Sequence, residues 1–255
     1  MSEFKEFYNT TSWELATKMH DDMLAQSTRR PKEFSIKIGS DRLFTLYFHG
    51  CPYRLKDKKI ITWIRYCLLN DRSSEADIDE QMDFLTEFVN EQVTNDYWII
   101  EPFGVLKRAF MLCYKNDIDA TVAFDFLDPL VYGIQQATQS EKISVYDRAN
   151  AFQAYLTGLC CLIYYSVLVS STDPENLKFQ NEMLDFLQIK SEDALNEDKQ
   201  EWGDETDVIP ALKAFSDLFP TIEETACDEI VAKSRKLLYT FYSETHRPEL
   251  AKKYI

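Results

Sequence analysis

Apolar residues recur along this chain mostly at the three-and-four spacing of a helix face, and in one place they alternate. Phe4, Phe7, Trp13, Leu15, Ala16, Met19 and Met23 predict a helix within residues 4–26. Thr11 and Glu14 stand three apart, as a capping box requires. Then Phe34, Ile36 and Ile38 alternate with Ser35 and Lys37, and Gly39-Ser40-Asp41 supplies a turn. Phe44, Leu46 and Phe48 follow on one face. This pattern predicts a small β-hairpin over about 33–48, which must pack on helices to be stable.

From Asp57 onward the helical period returns. Ile60, Ile61, Trp63, Ile64, Cys67 and Leu68 mark a helix ending near Asn70. Ile78, Met82, Leu85, Phe88 and Val89 mark another over 75–93. Pro102 suits the first turn of a helix that runs to Lys115. The next starts near Asp119, where Pro129 should kink or split it and Gly133 should loosen it. Asp173-Pro174-Glu175 opens a helix to about Ile189. Residues 190–207, KSEDALNEDKQEWGDETD, read as an exposed acidic loop. A short helix after Pro210 should end at Phe219-Pro220. Thr221-Ile222-Glu223-Glu224 then looks like the capping box of a last helix carrying Ile222, Ala226, Ile230, Leu237, Leu238 and Phe241. No internal repeat is visible, which argues against a regular solenoid.

The run from Ala149 to Thr172 contains no charged residue. A helix over about 144–170 that is apolar on all sides either lies in a packed core or crosses a membrane. Asn150, Gln153, Thr157, Gly158, Ser166 and Ser170 interrupt the run, and no basic cluster marks a cytoplasmic flank. The one-sided helices around it also need something to cover. The sequence therefore favours a central buried helix over a membrane span. The expected fold is mainly α: a single bundle-like domain over 1–255 around that helix.

Composition narrows this further. Gly (6) and Pro (8) are scarce, against a multi-stranded β-fold or a phosphate-cradling α/β-fold. A formal net charge of -15 repels nucleic acid and anionic lipid. The charge gathers between Asp173 and Phe219, where 13 acids face 4 bases. The N-terminus carries no apolar signal core, and Cys67, Cys113, Cys160 and Cys227 sit in helical apolar patterns. Both point to a reducing, cytoplasmic setting.

No motif fixes a reaction. Glu-x-x-His pairs, HExxH, Gly-rich phosphate loops and the nucleophile elbow are all absent. His49-Gly50-Cys51 lacks the second donor pair of a zinc site. His20-Asp21-Asp22 lacks the partners of a metal-dependent phosphohydrolase or prenyl-chain enzyme. No cofactor, metal or catalytic residue is assigned. The leading expectation is a non-enzymatic protein acting by protein–protein binding, as an adaptor, regulator or assembly subunit. Trp202 with Glu197, Asp198, Glu201 and Asp204 would contact a partner, one with a basic surface fitting best. Two alternatives are an enzyme with a dispersed site near His20, Asp21, His49 and Cys51, and a membrane-associated protein using residues 149–172.

Overall fold

A computed structural model describes residues 12–26, 33–38, 42–47, 64–66, 78–94, 102–141, 145–194 and 205–255. Helices account for most of them. They are α1 (Ser12–Gln26), α2 (Ile78–Thr94), α3 (Pro102–Lys115), α4 (Ala120–Gln139), α5 (Val145–Val169), α6 (Pro174–Ala194), α7 (Glu205–Thr225), α8 (Asp228–Glu244) and α9 (Pro248–Ala251), followed by a 3-10 turn at Lys252–Tyr254. The backbone of β1 (Glu33–Ile38) pairs antiparallel with β2 (Arg42–Tyr47), placing Phe34 opposite Leu46 and Ile36 opposite Phe44. The turn expected at 39–41 lies outside the described residues.

The sequence reading drew one domain over 1–255. By backbone proximity the chain divides into two compact units, Met1–Phe84 and Leu85–Ile255, with the boundary inside α2. In the first unit, Ala16, Met19 and His20 are buried on α1. Their spacing of three and four residues places them on one face. Ile64 is also buried, and the Arg65 guanidinium sits 4.7 Å from the Phe84 ring centre.

In the second unit α5 lies against α3, α4, α6 and α7. Residues 156–167 are all buried, so every side of more than three turns is covered. Four polar positions of the uncharged run have protein partners. Asn150 Oδ1 accepts from the Phe103 N–H at 3.1 Å, satisfying a donor in the first turn of α3. Thr157 Oγ1 donates to the Gln153 carbonyl at 2.9 Å. Ser166 Oγ accepts from Gln180 Nε2 of α6 at 3.1 Å. Ser170 Oγ accepts from the Asp173 N–H at 3.0 Å, and Asp173 in turn caps α6 through the Glu175 and Asn176 N–H groups. Gly158 lets α4 approach α5 closely. A Cβ there would lie 2.6 Å from Val131 Cγ2.

Three sequence expectations need correction. Pro129 does not split α4, which runs as one helix from Ala120 to Gln139. The proline is exposed, so the carbonyl that loses its helical donor can be solvated. Likewise α7 passes through both Pro210 and Pro220. The Thr221–Glu224 capping box therefore lies in the last turns of α7, and the chain breaks instead at Ala226-Cys227 before α8. Finally, the acidic loop is shorter than 190–207 at both described ends, because α6 continues through 190–194 and α7 includes 205–207. Gln180, Leu184, Leu187, Ser191 and Ala194 are buried on α6 at alternating spacings of four and three. That face continues past Ile189, where the apolar signal stops.

The C-terminal end is pinned by aromatic packing. The Tyr254 ring stacks on Tyr242 at 5.8 Å and meets Phe219 edge-on at 5.5 Å. Its hydroxyl lies 2.6 Å from Ser216 Oγ. Ion pairs Lys233–Asp185 and Arg235–Glu223 tie α8 to α6 and α7 at the surface, where each contributes about 1 kcal/mol or less.

Candidate functional site

Trp202, Glu197, Asp198, Glu201 and Asp204 lie outside the described residues, as do His49 and Cys51. His20 is buried, at 3% exposed, with Nδ1 3.7 Å from Asp21 Oδ1 at the solvent-facing side of α1. Among the described residues no group of three His, Cys, Asp or Glu side chains could hold a metal ion. The structure thus does not gather the candidates of the dispersed-site reading within what it describes.

The buried nucleophiles of the second unit are held in their unreactive forms. Burial pushes the Cys113 thiol up to about 11 and, with Cys113 nearby, the Cys161 thiol up to about 12. Cys160 is raised well above the ordinary range by full burial, and its Sγ lies 3.5 Å from the Ala211 carbonyl oxygen. The attacking species of a cysteine is the thiolate, so these groups sit far from nucleophilic chemistry. Phe110, Tyr114, Tyr164 and Tyr165 form a ring cluster beside them, with Phe110 stacked on Tyr114 at 5.6 Å. Burial raises the Tyr165 phenol as well, with Cys113, Tyr164, Cys161 and Tyr114 adding to it.

The surface carries a different signal. Some large apolar side chains stand exposed beside acidic residues. On α4, Val122 (49% exposed) and Tyr132 (60%) share a face with Asp125, Asp128 and Pro129. On α6, Ile189 (54%) stands next to Lys190 and four residues after Asp185, which pairs with Lys233. The Asp128 carboxyl is raised by partial desolvation and by Asp125. A neighbouring carboxylate favours the protonated form of Asp128. The spacing Val122–Asp125–Pro129–Tyr132 was readable as one stripe, but no motif in it singles those residues out.

Among the described residues, α5 is the helix long and apolar enough to cross a membrane, and 67% of its most apolar window is buried inside the protein. The second unit is a helical bundle packed around one apolar helix. No protein-family model matches the chain, and no curated protein or solved structure matches it.

Proposed function

We propose that this protein works by binding other proteins, as an adaptor, regulator or assembly subunit in the cytoplasm. The carrying observation is the pairing of exposed apolar side chains with acidic neighbours on α4. Isolated exposed apolar residues need no explanation, but helix faces that combine an aromatic anchor with like charges suit a partner of opposite charge. The acidic segment with Trp202, Glu197, Asp198, Glu201 and Asp204 extends the same chemistry in sequence from α6. A closed hairpin over 33–48, packed on helices, belongs to this reading of the fold.

The test is affinity capture of the full chain against a variant with Trp202→Ala, Glu197→Gln, Asp198→Asn, Glu201→Gln and Asp204→Asn. Selective loss of a reproducible partner supports this segment as a contact. Unchanged recovery of every partner removes it from the binding surface. Recovery of no partner by the native chain in its own cells defeats the reading as a whole.

A further inference from the structure

The outer face of α4 combines three features. The first is an apolar ladder, Val122, Pro129 and Tyr132, exposed over eleven residues of one helix, about 15 Å along the axis. The second is a set of carboxylates. Asp125 and Asp128 are exposed beside that ladder, and α4 contains no Lys or Arg. Neither carboxylate has an ion-pair partner among the described residues, and their mutual repulsion contributes to the raised Asp128 carboxyl. The third is a backbone acceptor. Pro129 has no N–H, so the Asp125 carbonyl lacks its i+4 donor. The face thus gathers acceptors and negative charge around a phenol ring.

Resting on the protein-binding reading, we propose that the α4 face docks an arginine-bearing amphipathic helix of a partner protein, with its apolar side on Val122 and Pro129. Arginine fits better than lysine for a geometric reason. Its planar fork donates to two acceptors at once and also stacks on an aromatic ring. Asp128 and Tyr132 are four residues apart and so lie one above the other on the helix surface. One guanidinium can therefore pair with Asp128 while lying on Tyr132. A second can reach Asp125 and its carbonyl.

The test uses the full chain and a synthetic helical peptide of about 16 residues with a leucine stripe flanked by arginines, and its lysine analogue. Affinity is measured by calorimetry for the native chain, Asp125→Asn/Asp128→Asn, Tyr132→Ala, and the charge-matched control Glu224→Gln/Glu244→Gln, which alters exposed acids on α7 and α8. The expected result is a loss of about tenfold or more for each α4 variant and under about twofold for the control. The lysine peptide should bind at least about threefold more weakly. Equal losses in the control overturn the proposal, because net charge alone would then explain binding. Unchanged affinity in the α4 variants overturns it as well. So does a native self-association that Tyr132→Ala abolishes, which would make a second copy the occupant.

A photo-cross-linking residue placed at position 132, and separately at 202, keeps the two readings apart in native cells. Cross-links from 202 alone overturn the α4 surface and leave the protein-binding reading standing. Cross-links from neither position, together with no peptide binding, defeat both.

Discussion

Gly158 on α5 meets Val131 on α4 so closely that a methyl group on the glycine would lie 2.6 Å from Val131 Cγ2 and 3.0 Å from Cγ1. Real Cβ atoms do not reach such distances, so Gly158→Ala must push the two helices apart or turn the valine. The clash costs about 1–3 kcal/mol, partly offset by the better helix propensity of alanine, about 1 kcal/mol. Gly158→Ala should lower stability, and Val131→Ala in the same chain should recover part of the loss. Urea denaturation of both single variants and the double variant measures the coupling. Strict additivity would show that this contact does not set the α4–α5 distance.

Asn150 holds the first turn of α3 from a neighbouring helix, through the 3.1 Å bond to the Phe103 N–H. Asn150→Ala should destabilise by about 1 kcal/mol, as losing a helix cap does. Asn150→Asp should retain the bond and place a negative charge at a helix start, where the dipole favours it. Thermal unfolding of the two variants checks this: equal losses from both would mean the side chain acts only through its volume.

The free thiols Cys113, Cys160 and Cys161 are buried. A thiol whose folded-state value lies above its unfolded value keeps its proton longer in the native chain. Its stabilising effect is complete below the unfolded value, near 9.0, and is lost as pH rises towards about 11 for Cys113 and about 12 for Cys161. The protein should therefore lose stability progressively above that lower value. Cys113→Ala should flatten the alkaline slope, whatever its effect on stability at neutrality. In labelling at roughly pH 8, the buried thiols should react only at the rate of unfolding, while half-exposed Cys227 reacts faster. Rapid labelling of all of them in the native chain would contradict the burial described.

Pro220 is exposed inside α7 and deprives the Ser216 carbonyl of a helical donor. Pro220→Ala restores that bond. The gain is limited by the extra freedom that alanine gives the unfolded chain, leaving a net stabilisation of about 1 kcal/mol. A raised melting temperature is expected. A helix that really ended at Phe219 would give a neutral or destabilising result instead.

That last comparison shows where sequence pattern is informative and where it fails. The start of α3 was legible because Pro102 and a regular apolar stripe agree, and α5 was legible because nothing charged interrupts it. The junction of α7 and α8 was not. Thr221 and Glu224 have the spacing of a cap, yet the true break at Ala226-Cys227 has no side-chain capping bond to announce it. The end of α6 was hidden because Gln180 and Ser191 are polar and buried, whereas apolar Ile189 faces solvent. Burial there follows helical position and not residue type. The candidate site was the least legible part. Trp202 and the acids around it stood out by composition, but Val122, Asp125, Pro129 and Tyr132 become a surface only once the fold shows which side of α4 is exposed.

The bond between Cys160 and the Ala211 carbonyl joins residues 51 positions apart. The helices on the other sides of α5, from α3 to α6, come before residue 195 in the chain. A cut within 195–204 would therefore leave an N-terminal fragment whose longest apolar helix is bare on one side only. The C-terminal fragment carries the matching strip, with Ala211, Leu212 and Phe215 all fully buried in the intact chain. Two such halves should reassociate without a covalent link, because each leaves apolar surface in water that the other covers.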